Sequence, residues 1–218
     1  MRTRNDWIAT LRGITKGHLQ SDQADRADMY DVSFKVVNLL RDTGMIRDGD
    51  NILDMGCGNG RYAIALSELP VSYVGVDVIA ESIDFCKEAF AEYGYTFHHR
   101  DIRNGFYHPS GAIDPEQVTF PGKDFDLVIA HSLFTHLETL GACKHYVEET
   151  VRVLKPGGRF FSTWFRSPPN ALSSSGQRTV LAEADIMNLL QGFTINHTWG
   201  GLTAEFHDQW MICATKRS

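Results

Sequence analysis

The stretch ILDMGCGNGRYAIAL, residues 52–66, constrains this chain more than any other. An apolar run ends in Asp54, glycines follow at alternate positions 56, 58 and 60, and a second apolar-patterned run opens at Arg61. Glycine is needed where the backbone takes positive φ or lets another molecule approach without a Cβ in the way. A strand that turns tightly into a helix is therefore predicted. The start of such a helix offers bare N–H groups and partial positive charge to an anionic group. The same glycines also suit a plain strand–helix turn. A dinucleotide fingerprint would place its third glycine where Arg61 stands, and Asp54, so close to the loop, would repel a pyrophosphate. An NAD(P)-dependent oxidoreductase of Rossmann type is the rival reading, and no hydride-transfer set supports it. A phosphate loop fails for want of the GK[ST] ending.

The rest of the chain alternates β-branched runs with amphipathic ones, the pattern of a parallel sheet flanked by helices. Strands are predicted at 51–55, 72–78, 95–100, 125–131 and 158–165. Helices fall at Met29–Thr43, Gly60–Leu69, Ala80–Tyr93, Leu137–Leu154 and Ala182–Leu190. The last two strands, 193–200 and 207–216, are joined by too short a loop for a parallel crossover and must form an antiparallel hairpin. The fold class is thus α/β, a mostly parallel sheet with an antiparallel C-terminal hairpin and helices on both faces. At 218 residues and 43% hydrophobic content, one domain over 1–218 is expected, with 1–44 as a helical cap and 45–218 as the core. Two irregular stretches, 102–124 and 166–181, fall on the carboxyl edge of the sheet, where open α/β folds bind ligands.

Two further acids stand at strand tips. Asp77 closes SYVGVD, 23 residues after Asp54, and is placed to accept hydrogen bonds from ribose hydroxyls. It also suits an N-cap ahead of Ile79-Ala80-Glu81. Asp101, in Arg100-Asp101-Ile102, could accept the exocyclic amine of adenine while Ile102 covers the ring; a loop Asp bonding its own backbone is the ordinary alternative.

With these residues in hand, the chain resembles a class I S-adenosylmethionine-dependent methyltransferase. The likeness lies in LDMGCGNGR at 53–61, VGVD at 74–77, RDI at 100–102, FDLVIAHSLFTHL at 125–137 and LKPGGRFFSTWF at 154–165, in family order. It implies a seven-stranded Rossmann-like sheet with the methyl donor, S-adenosyl-L-methionine, across its carboxyl edge. Asp54, Gly56, Cys57 and Gly58 then match the methionine-end loop, Asp77 and Val78 the ribose, and Asp101 and Ile102 the adenine. His131 falls near the reactive methyl. The implied activity is in-line methyl transfer to an oxygen or nitrogen of a small-molecule acceptor; a non-catalytic donor-binding module is the third reading.

A hydroxyl acceptor would call for a general base, and a histidine suits that task. His131 and His136 are the catalytic candidates, with His108 in the 102–124 stretch. Each also has a bland alternative, cavity lining for His131 and a backbone bond for His136. Trp164, Phe165, Phe106 and Tyr107 are the better aromatic candidates for the acceptor pocket. The N-terminal residues 1–30, with Arg12, Lys16, Arg26 and Tyr30, would fold over the donor as a lid.

Charge narrows the partners. With 21 Lys+Arg against 27 Asp+Glu the net charge is −6, which argues against a nucleic-acid partner. No apolar run approaches the roughly 20 residues that span a bilayer, and the basic N-terminus carries no apolar leader core. Cys57, Cys86, Cys143 and Cys213 show no CxxC spacing, so reduced thiols, no metal and a cytoplasmic setting are expected. Nothing in the sequence speaks to oligomeric state.

Overall fold

Alternate residues along the strands feed two different apolar clusters, and that division builds the molecule. Ile52, Leu127, Ile129, Phe161, Met211 and Cys213 join one cluster. Their neighbours Leu53, Val128, Ala130, Phe160, Ile212 and Ala214 join the other. A period of two with both faces apolar is what a sheet covered on both sides requires. In the computed structural model, residues 27–167, 179–200 and 209–218 are described.

The elements run α1 (Ala27–Asp42), β1 (Asn51–Met55), α2 (Arg61–Leu66), β2 (Ser72–Asp77), α3 (Ala80–Ala89), β3 (Thr96–His99) and β4 (Phe125–Ala130). They continue through α4 (Leu140–Val153), β5 (Leu154–Ser167), β6 (Val180–Ala182), α5 (Glu183–Leu189), β7 (Phe193–Trp199) and β8 (Gln209–Lys216). The sheet order is β3-β2-β1-β4-β5-β8-β7, the path of seven strands that the sequence implied. β8 runs antiparallel to both β5 and β7, and the other neighbours in that path pair in parallel. Helices α1 to α3 pack on the face of the first cluster, α4 and α5 on that of the second.

The departures from expectation have local causes. A short eighth strand, β6, pairs in parallel with the far end of β5 at Phe165–Ser167; three residues are too few to show a period. β5 begins at Leu154 rather than 158. Phe125 pairs with Leu154 and Leu127 with Arg159, so Lys155 to Gly158 loop out as a bulge. α4 starts at Leu140 because the Thr139 hydroxyl accepts the Ala142 N–H at 2.9 Å and caps it there. α3 stops at Ala89, and Ala91–Tyr93 forms a separate 3₁₀ turn.

The 102–124 stretch folds as a structured excursion. Ile102 bridges Ile113, Asn104 bridges His108, and Pro115–Gln117 makes a 3₁₀ turn. Most of the 166–181 stretch, the lid residues up to Arg26, and the turn of the terminal hairpin lie outside the described residues. The buried Arg159 guanidinium ties β5 to the turn before β1, with Nη2 on Asp50 Oδ1 at 2.6 Å and Nη1 on the Met45 carbonyl at 3.0 Å. No helix among the described residues is long and apolar enough to cross a membrane. All four cysteines are free and buried.

Parallel register sets the site. Met55 pairs with Val76, Asp77 with His99, and Asp54 with Ile129, so the carboxyl ends of β1 to β4 open at one edge of the sheet.

Candidate functional site

At that edge lies a cavity of about 260 Å³, walled by the glycine loop, the tips of β2 and β4, and the 102–124 excursion. The loop holds its shape through positive φ at Gly56 (79°) and Gly60 (77°). At Gly60 a Cβ would also lie 2.7 Å from the Phe90 ring, so glycine is required there on two counts. α2 is only six residues long. The positive charge beside the loop therefore comes from the side chain of Arg61, not from a long helix dipole. Its Nη2 reaches the His131 carbonyl at 3.4 Å, and the residue lines the cavity.

Asp77 clamps the loop. Its Oδ2 accepts the Gly58 N–H at 2.7 Å and its Oδ1 accepts the Ile79 N–H at 2.9 Å. Burial pushes its pKa up, while these backbone donors pull it down. The helix-start bond to Ile79 and a place in the cavity wall thus coexist on one carboxylate.

Asp54 sits behind the loop, 1% exposed and outside the cavity lining. The Tyr73 hydroxyl donates to its Oδ2 at 2.6 Å. Burial drives its pKa up to about 7, against the pull of Tyr73 and the Arg61 charge. Asp101 is likewise not in the lining. It turns outward to His108 Nε2 at 2.6 Å, because the Asn104–His108 bridge folds the excursion back on it. Ile102, its neighbour, is buried and does line the cavity, as do Gly56, Cys57, Gly58, Asp77 and Val78.

His131 closes the β4 side, buried among aromatic rings. The Tyr62 hydroxyl is hydrogen-bonded to its Nδ1, and the Phe161 ring meets it edge-on at 6.0 Å. Burial, then the charge of Arg61, holds its pKa well below the usual histidine value, so the ring is neutral. Ser132 follows in the left-handed region, φ 58°, with its N–H on Thr163 Oγ1 at 2.7 Å. Strained non-glycine backbone of this kind gathers at functional sites. His136 lines the cavity; its carbonyl accepts from Asn104 Nδ2 at 2.9 Å, and Phe106 stacks on its ring at 6.3 Å. Of the aromatic candidates only Tyr107 reaches the lining. Trp164 belongs to the core, stacked on Phe134 at 4.0 Å with its indole N–H on Ser162 Oγ.

Three residues were in plain view in the sequence without being assigned a role. Arg61 served only to break a rival motif, Tyr62 reads as an apolar helix position, and Asn59 as loop filler. Asn59 lines the cavity, and its buried Oδ1 has no hydrogen-bond partner among the described residues. A buried, unsatisfied acceptor beside a cavity calls for a donor from a ligand.

Residues 46–209 match a family model described as a methyltransferase domain. A fatty-acid O-methyltransferase of Mycolicibacterium smegmatis is 28% identical over 121 residues, covering 53% of this chain and 37% of that protein. The chain thus matches well under half the length of that relative. Among solved structures, the N-methyltransferase NodS of Bradyrhizobium japonicum, in complex with S-adenosyl-L-homocysteine, superposes with a TM-score of 0.67. It is 17% identical, over 97% of this chain and 98% of that one. The [4+2]-cyclase SpnF shares the fold as well, with a TM-score of 0.63 and 16% identity over 84% of this chain and 81% of its own. Fold alone therefore does not assign chemistry, but with the glycine loop, the β2 acid and the matched family model together, the chain belongs to the methyltransferase-domain family, in its class I, Rossmann-like form.

Proposed function

We propose that the protein is an enzyme that transfers a methyl group from S-adenosylmethionine to an oxygen or nitrogen of a small-molecule acceptor. The observation that carries the reading is the pairing, in one cavity wall, of the buried orphan acceptor Asn59 Oδ1 with the Arg61 guanidinium. An amino-acid end carries one ammonium and one carboxylate. Asn59 supplies the acceptor for the first and Arg61 the charge for the second. Asp77 supports the ribose from the β2 tip, and Val78, Ile102 and Leu133 give apolar cover for a purine. A pyrophosphate beside the glycine loop would face the Asp77 carboxylate in the cavity wall. That disfavours the NAD(P) reading.

When bound, the donor supplies a methyl already activated on a sulfonium. The protein's part is then to hold, align and keep out water. Asp77 and the glycine loop fix one end, while His131 at the tip of β4 addresses the other. The four free, buried thiols favour a reducing, cytoplasmic setting.

Calorimetry with S-adenosylhomocysteine tests the reading. The wild type is expected to bind it, and NADH not. Arg61→Ala should weaken that binding by about 1.5–3 kcal/mol, roughly 10- to 150-fold, the cost of a lost charge-assisted hydrogen bond. Binding of NADH in place of the homocysteine compound would overturn the proposal. Donor binding with no transfer to any acceptor would favour a non-catalytic module.

A further inference from the structure

With Asp101 turned outward to His108, another polar group has to meet the edge of a base bound in the cavity. An adenine between Val78, Ile102 and Leu133 still carries an amine at position 6 and an acceptor at N1, and buried polar groups need partners. The polar side chains that follow Ile102 in the chain are committed. Asn104 Oδ1 accepts the Phe106 and Tyr107 N–H groups at 3.1 and 2.9 Å, and its Nδ2 donates to the His136 carbonyl. Arg103 carries donors alone and pairs with Asp114 at 3.3 Å. Ser82 lines the cavity from α3, which packs on the opposite face of the sheet from Ile102.

Tyr146 remains. It enters the cavity wall from α4, 3% exposed, in the same apolar cluster as Ile102 and Phe120. Its backbone carbonyl accepts from Thr150, but its hydroxyl has no hydrogen-bond partner among the described residues. Nor is that hydroxyl sealed in, so the space it meets is the cavity. The end of the 102–124 excursion holds the ring in place. Phe120 meets it edge-on at 5.2 Å and is itself pinned to α4. The Phe120 N–H donates to Glu149 Oε2 at 2.9 Å, and its carbonyl accepts from Arg152 Nη2 at 2.7 Å. Burial, then the charge of Asp77, pushes the Tyr146 pKa up, so the hydroxyl keeps its proton. It therefore offers one donor and free lone pairs, on a rotor.

We propose that the Tyr146 hydroxyl, in place of Asp101, reads the polar edge of the donor's base, and that the site therefore takes hypoxanthine as well as adenine. The inference rests on the methyltransferase reading above and deepens it at the cofactor. Against adenine, the hydroxyl oxygen accepts from the amine at position 6 and its proton goes to N1. Hypoxanthine reverses that pattern, with a carbonyl at position 6 and a proton on N1. Turning the O–H about its bond to the ring serves it equally: the proton goes to O6 and a lone pair accepts from N1–H. A carboxylate placed for the amine has no such freedom. It accepts alone, and would meet the lone pairs of O6 head-on.

Calorimetry on the full chain with three probes tests this. They are S-adenosylhomocysteine, S-inosylhomocysteine, and the 1-deazapurine counterpart with no substituent at position 6, which lacks both the amine and N1. The wild type is expected to bind the first two within tenfold of each other, and the third at least tenfold more weakly than the first. Tyr146→Phe should weaken the first two by fivefold or more and leave the third unchanged, a coupling that a merely structural role for the ring would not produce. Rejection of the inosyl compound by more than tenfold overturns the proposal. So does a deaza compound that binds within tenfold of the adenosyl one, and neither result needs the variant to fold. A folded Phe variant that loses less than fivefold for the adenosyl compound, or loses as much for the deaza one, also overturns it while leaving the enzyme reading intact. If the wild type binds none of the three, both readings fall.

Discussion

Asp54→Asn is expected to make the protein more stable at pH 8, by about 2–4 kcal/mol, and no more stable near pH 4. Asp54 is 1% exposed, and burial holds its pKa up at about 7, against 3.8 for an ordinary aspartate. Below about pH 4 the carboxyl is protonated in both folded and unfolded chains, and the side chain costs nothing extra. As pH rises toward 7 the unfolded chain gives up this proton while the folded one retains it. Stability is lost over that window at about 1.4 kcal/mol per pH unit, close to 4 kcal/mol in all. Asparagine carries no such cost, and its Oδ1 can still accept from the Tyr73 hydroxyl that now donates to Asp54. Urea unfolding at both pH values measures the difference. Equal gains at both would mean that the amide improves packing and that the ionisation of Asp54 is not the cause.

The same residue should show why the cost is retained. A cationic donor bound beside the loop favours the ionised carboxylate, so binding near pH 6 is expected to release a proton from Asp54. Calorimetry in buffers of different ionisation enthalpy detects it. Asp54→Asn should abolish the release and weaken the methyl donor more than its product S-adenosylhomocysteine, which lacks the sulfonium charge. That pair of results would assign Asp54 an action through its field, from behind the wall of the cavity.

How far the sequence revealed all this depended on whether the relevant interaction was local. The strand–turn–helix at 51–66 was legible because Gly56 and Gly60 sit where only a positive φ works. The terminal hairpin was legible because its loop length admits one topology. The Tyr62–His131 contact links residues 69 apart, and the Tyr73–Asp54 bond crosses two adjacent parallel strands. Neither has a local signature. Asp101 illustrates a subtler limit. Its position at the β3 edge follows from the motif, but its outward turn depends on His108, which a bridge within an irregular stretch brings back to it. Trp164 misleads for a different reason: in a sheet covered on both sides, period two does not say which apolar face carries the ligand.

Asp77→Ala should cost both the fold and the donor, and the two losses are separable. Two backbone N–H groups, of Gly58 and Ile79, lose an anionic acceptor at 2.7 and 2.9 Å. Hydrogen bonds to a charged group are each worth about 1.5–3 kcal/mol, partly offset here because a buried carboxylate is also removed. Stability is expected to fall by about 2–4 kcal/mol and the affinity for S-adenosylhomocysteine by a comparable amount. A loosened glycine loop alone would also weaken the ligand, so affinity by itself cannot tell a clamp from a ribose contact. An analogue of the product without ribose hydroxyls separates them. If Asp77 holds the ribose, the wild type binds the full compound much more tightly than the analogue, while Asp77→Ala binds both alike, a coupling that a double-mutant cycle isolates. If the wild type makes no distinction and the variant merely unfolds at lower urea, Asp77 serves the loop, and the recognition of the sugar must come from elsewhere in the cavity wall.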